Sequence, residues 1–110
     1  MKIPSKVLIL LAVSAFLAGP ALAHKVNIFA YVEGGKVYTE SYFPDSRPVE
    51  GGKVLVYDGR DALLLEGKTD TKGLFSFPVP KVDDLKIVIE AGMGHKNSFD
   101  LKKAEVEAGK

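Results

Sequence analysis

The sequence predicts an all-β sandwich of seven strands. Apolar residues recur with a period of two in nearly every run, and clusters rich in Gly, Pro, Asp and Ser separate the runs at regular intervals. No long stretch carries helical spacing. Short alternating strands with frequent turns favour two packed sheets over any helical or mixed architecture.

The first strand is Lys25 to Val32, where Val26, Ile28, Ala30 and Val32 alternate with Lys25, Asn27, Phe29 and Tyr31. Glu33-Gly34-Gly35 is a short hairpin signal leading into Lys36 to Phe43. Pro44-Asp45-Ser46-Arg47-Pro48 and Gly51-Gly52 form a longer connection, because Pro and Gly punctuate strands. Lys53 to Tyr57 and Ala62 to Glu66 flank the turn Asp58-Gly59-Arg60-Asp61. Leu74 to Phe77 follows Thr69-Asp70-Thr71-Lys72-Gly73, Leu85 to Ala91 is the most apolar run, and His95 to Leu101 is the seventh strand. Residues 24–102 thus make the sandwich. Residues 103–110 read as a charged, frayed tail, since the Lys-, Glu- and Ala-rich run there is too short for an independently stable helix.

Residues 1–23 have the pattern of a cleavable signal peptide. Lys2 and Lys6 give a positive start, Val7 to Ala18 is uncharged and apolar, and Ala21-Leu22-Ala23 supplies small residues at a cleavage site. The apolar run falls short of the roughly 20 residues that span a bilayer. Cleavage after Ala23 exports the chain to the periplasm and makes His24 its first residue. Losing Lys2 and Lys6 turns the formal charge from +1 to −1, which gives no reason to expect nucleic-acid binding. The chain has no cysteine, so neither disulfides nor thiolate ligands enter the account.

Pro48-Val49-Glu50-Gly51-Gly52-Lys53-Val54-Leu55-Val56-Tyr57-Asp58 runs into Gly67-Lys68-Thr69-Asp70-Thr71-Lys72-Gly73-Leu74-Phe75-Ser76-Phe77. This stretch resembles the transthyretin-like, or carboxypeptidase regulatory-like, sandwich domains, with their pattern Thr-Asp-x-x-Gly-x-Phe-x-Phe. Asp70 is expected to tie down the turn, Gly73 to take positive φ, and Phe75 and Phe77 to enter the core. The pattern speaks to fold and says little of function. The opening His24-Lys25-Val26-Asn27-Ile28-Phe29-Ala30-Tyr31-Val32-Glu33-Gly34 and the segment Ala91-Gly92-Met93-Gly94-His95-Lys96 resemble a periplasmic accessory component of nickel/cobalt energy-coupling-factor transporters. The resemblance covers essentially the chain after the leader. It implies Ni2+ or Co2+ as cargo, membrane-embedded transporter subunits as partners, and His24 and His95 as the residues that matter. Related chains can continue into a membrane helix; this one stops at Lys110, so no span is expected after the leader.

Strand parity offers a separate route to the same pair. His24 shares parity with Val26 and Ile28, and His95 with Phe99 and Leu101, so both belong to core-facing sides at strand beginnings. If each of six connections reverses the chain, the first and seventh strands run the same way and start at one end. The His24 amine, the His24 imidazole and the His95 imidazole then make a candidate metal site. Met93 is a weaker soft ligand, methionine being more often core filler, and Asp45 or Glu66 a weaker oxygen ligand. Such a set suits Ni(II), Co(II) or Cu(II) over Mg2+ or Ca2+. A copper protein with an N-terminal histidine brace and a metal-free structural or interaction sandwich are the alternatives. Enzymatic activity is not expected, because the chain is short and offers no further acid, base or nucleophile constellation. A hydrolase in particular is disfavoured because Ser41, Ser46, Ser76 and Ser98 lack nucleophile motifs. Tyr31, Tyr38, Tyr42 and Phe43 read as cross-strand packing.

Overall fold

The computed structural model describes residues 26–110. Seven strands form in chain order: β1 (Asn27–Glu33), β2 (Lys36–Tyr42), β3 (Lys53–Tyr57), β4 (Leu63–Lys68), β5 (Leu74–Pro78), β6 (Leu85–Gly92) and β7 (His95–Leu101). They make two antiparallel sheets, ordered β1-β2-β5 and β4-β3-β6-β7. The all-β expectation with seven strands therefore holds. β4 lies slightly later than the sequence indicated, because three consecutive leucines blur its alternation and the β3–β4 register shifts at Val56/Tyr57.

Alternation fixes what each strand buries. Along β1 and its lead-in, Val26 and Ala30 are buried while Asn27, Phe29, Tyr31 and Glu33 face outward. Val37, Thr39 and Ser41 play the same part in β2. Val54, Val56, Ile87, Ile89 and Leu101 supply the facing side, joined by Phe77 from β5 and Val49 from the β2–β3 connection. Removing side chains of this size from water stabilises the fold by roughly 1.5–3 kcal/mol each before conformational entropy is counted. No cysteine is present, so the fold rests on this core without disulfides.

The turns follow the sequence. Gly34 and Gly35 both have positive φ (60° and 78°), as a tight hairpin matched to strand twist requires. Asp70 Oδ1 accepts the backbone N–H groups of Lys72 and Leu74 at 2.8 and 2.9 Å. Gly73 has φ 76°, and a Cβ there would meet the Ser41 carbonyl, so glycine is required twice over. Phe75 and Phe77 enter from β5 with ring centroids 5.6 Å apart. Thr69, the residue of this segment that carried no expectation, is only 5% exposed. Its hydroxyl donates to the Val49 carbonyl at 2.5 Å and accepts the Gly52 N–H at 2.8 Å, lacing the β2–β3 connection to the start of the turn.

The frayed tail is instead a short helix, α1 (Lys103–Ala108). Tertiary contacts supply what its length lacks: Val106 is fully buried, and Gly109 packs on Val32. Asp84 accepts the Lys103 N–H at 2.8 Å, Glu105 reaches back to the Lys102 N–H at 3.1 Å, and the Gly109 carbonyl accepts the Gly35 N–H at 2.9 Å. Among the described residues no helix is long and apolar enough to cross a membrane.

Candidate metal centre

His95 begins β7, directly after a two-residue turn. Met93 and Gly94 both have positive φ (52° and 81°), and Gly92 pairs with His95 across the turn. The half-buried imidazole meets the Phe43 ring edge-on, with centroids 5.9 Å apart and planes at 79°. The Arg47 guanidinium lies over the same Phe43 ring, 4.8 Å from its centroid. Asp45 holds that guanidinium: Arg47 Nε donates to Oδ2 at 2.7 Å, and the Arg47 backbone N–H donates to Oδ1 at 3.1 Å. These two hydrogen bonds, the side-chain one foremost, hold the Asp45 carboxyl below its ordinary pKa.

Strands β1 and β7 lie side by side at the edges of the two sheets. The Asn97 side-chain amide donates to the Val26 carbonyl at 2.8 Å, and Phe29 meets Phe99 edge-on at 5.5 Å. Earlier residues meet earlier and later meet later, so the two strands run in the same direction. Their beginnings lie at one end of the sandwich, as parity and an even number of reversals imply. His24, two residues before Val26, and residues 1–23 lie outside the described residues.

Two polar atoms are buried without a hydrogen-bond partner among the described residues: Nδ1 of His95 and the hydroxyl of Ser41. Leaving such a nitrogen unsatisfied costs about 1–3 kcal/mol. Around it, the described residues hold no group of three or more His, Asp or Glu side chains close enough for a metal ion. Described residues alone therefore do not complete a metal centre, and His95 is the one imidazole among them.

The other expected ligands separate. Met93 is not core filler; it stands at the turn tip, 97% exposed, and lines a groove with His95, Phe43, Pro44, Asp45, Arg47 and Ala91. Glu66 belongs to the outer face of its sheet, opposite Leu55, with its carboxylate 3.9 Å from Lys53 Nζ, and it borders neither groove beside His95. The carboxylates that share the second groove with His95 are Glu50 and Glu90. Alternation places Glu90 only once β6 is known to end at the turn, and Glu50 sits in a connection without period. The tyrosines behave as packing residues. Tyr31 and Tyr38 are cross-strand partners with stacked rings 5.3 Å apart, and the Tyr42 hydroxyl donates to Glu40 at 2.9 Å.

No family model matches the chain, and no solved structure matches it. The chain is similar to an uncharacterized protein of Haemophilus influenzae, with 33% identity over 81 residues, covering 71% of this chain and 50% of the relative. The chain thus spans about half the length of the curated relative it matches.

Proposed function

We propose that the protein is an exported, transthyretin-like accessory that binds Ni2+ or Co2+ outside the membrane and hands it to the membrane-embedded subunits of an energy-coupling-factor transporter. The observation that supports this reading is the buried Nδ1 of His95, without a hydrogen-bond partner among the described residues, at the end of the sandwich where Val26 leads into β1. His24 stands two positions before Val26, which is at most about 7 Å of extended chain. Asn97 is likewise two residues from His95, so chain length lets a terminal His24 come level with that imidazole.

Cleavage after Ala23 is a condition of the reading, because an uncut peptide bond turns the α-amine into an amide that is a poor ligand. The free amine and the imidazole of His24 together close a chelate ring, and His95 adds a third nitrogen. Three nitrogens suit late first-row divalent ions. The remaining positions are left to water or to a partner, which suits a carrier that must release its cargo. Cu2+ has the higher intrinsic affinity for the same nitrogens, so supply and the transporter decide which ion is carried. The α-amine, with an ordinary pKa of about 7.7–8.0, must lose its proton to bind, so affinity weakens as pH falls.

Calorimetry on protein whose first residue is His24, verified by mass spectrometry, tests the reading. Ni2+ or Co2+ is expected to bind one per chain at low-micromolar affinity or tighter, and His95→Ala is expected to weaken binding by at least about tenfold. Absence of binding to the protein with the free terminus refutes it.

A further inference from the structure

Met93 stands in a position that neither packing nor turn geometry accounts for. It occupies the first central position of a tight hairpin turn at φ 52°, where Gly, Asn or Asp is the usual choice. A residue with a Cβ is strained there by roughly 1 kcal/mol. At 97% exposure the side chain recovers nothing through burial. What remains distinctive is its thioether, carried by a turn flanked by Gly92 and Gly94 and two residues from His95.

The groove shared by Met93 and His95 has a definite donor chemistry. Phe43, Pro44 and Ala91 make its apolar part. Its carboxylate, Asp45, is held by two hydrogen bonds from Arg47. Among the described residues the uncommitted donors of this groove are therefore one thioether sulfur and one imidazole. His95 borders the groove two positions from Met93, and its Nδ1 is buried without a hydrogen-bond partner among the described residues. Hard divalent ions require oxygen donors, and the groove's one carboxylate is already held by Arg47. A sulfur–nitrogen pair in an apolar groove selects a soft cation that accepts low coordination.

We propose that Met93 Sδ and the His95 imidazole form a Cu(I) site in this groove, independent of the chain terminus. The site goes beyond the nickel/cobalt reading: it uses His95 but neither nitrogen of His24. Copper arrives and leaves as Cu(I), so no electron transfer is involved.

Anaerobic titration of the protein, purified with its own N-terminus, against Cu(I) held by the chelator bicinchoninate tests the site. The protein is expected to withdraw one Cu(I) per chain from the chelator. Met93→Leu and His95→Ala are each expected to weaken that affinity by at least about tenfold, and His24→Ala to change it by less than about twofold. X-ray absorption is expected to show one sulfur scatterer in the parent protein and none in Met93→Leu. Because Met93 is exposed, Met93→Leu keeps its fold and reads ligation alone. No competition with the chelator, an unchanged affinity in Met93→Leu, or a loss of Cu(I) in His24→Ala overturns the proposal. Loss of Ni2+ binding in His24→Ala with Cu(I) binding kept separates the two sites.

Discussion

Thr69 shows how much a single hydroxyl can hold. It bonds the Val49 carbonyl and the Gly52 N–H, so one side chain satisfies two backbone groups of a connection that also delivers Val49 to the core. Thr69→Val preserves shape and removes both bonds. It is expected to destabilise the protein by about 1–3 kcal/mol, read as a lowered midpoint in urea with an unchanged slope. Asp58 is a second such residue. Its side chain is 6% exposed and accepts the N–H groups of Ala62 and Arg60 and the Lys81 ammonium, at 3.0, 2.8 and 2.9 Å. The Ala62 hydrogen bond foremost, then Lys81 and Arg60, hold its pKa down to about 2. A carboxyl depressed in the folded state stabilises above its unfolded pKa of about 4 and loses that stabilisation as pH falls toward 2. Thermal unfolding of the parent protein is therefore expected to drop between pH 4 and 2 more steeply than that of Asp58→Asn, which keeps the turn acceptor and loses the charge. Equal slopes contradict the assignment. Asp70 was legible as a turn residue because its partners are two and four positions away. Thr69 was not, because its partners lie 17 and 20 positions back in sequence.

Among the elements, the strands were legible and the helix was not, for one physical reason. A strand with one buried side declares itself by alternation, which survives even where the exact ends shift by a residue or two. Helix α1 declares nothing, since six residues rich in Lys, Glu and Ala have no intrinsic stability. Its existence depends on Val106 in the core, on Asp84 at its start and on Gly35 at its end, all set by tertiary structure. Val106→Ala is expected to cost about 2 kcal/mol and to make the amides of 103–109 exchange with solvent far faster than those of β3 and β6. Protection lost evenly across the whole domain contradicts the view that α1 is held as a separate unit. The gap between Ala91 and His95 was legible as a connection between strands. The outward placement of Met93 was not, because an apolar residue between strands reads equally well as core.

For the whole molecule, the antiparallel sheets set β1 and β7 side by side and give both strands a common starting end. That arrangement, which parity and an even count of reversals anticipated, is what makes a pairing of His24 with His95 physically sensible. The parity count could not say which carboxylates border the ring. Glu66 turned to the outer face, whereas Glu50 and Glu90 came beside His95 through a connection and a strand end without readable alternation. Binding to the folded state alone raises stability through mass action, so saturating Ni2+ at about 100 times its Kd is expected to add about 2.7 kcal/mol and to raise the unfolding temperature in proportion. The proposed chelate rests on the terminal amine, and acetylation of that amine removes its basicity while leaving every side chain in place. Two proteins, one with a free amine on His24 and one acetylated there, should therefore be compared for Ni2+ affinity at pH 7.5. The account predicts that the blocked terminus weakens binding by at least about tenfold; equal affinities would contradict it.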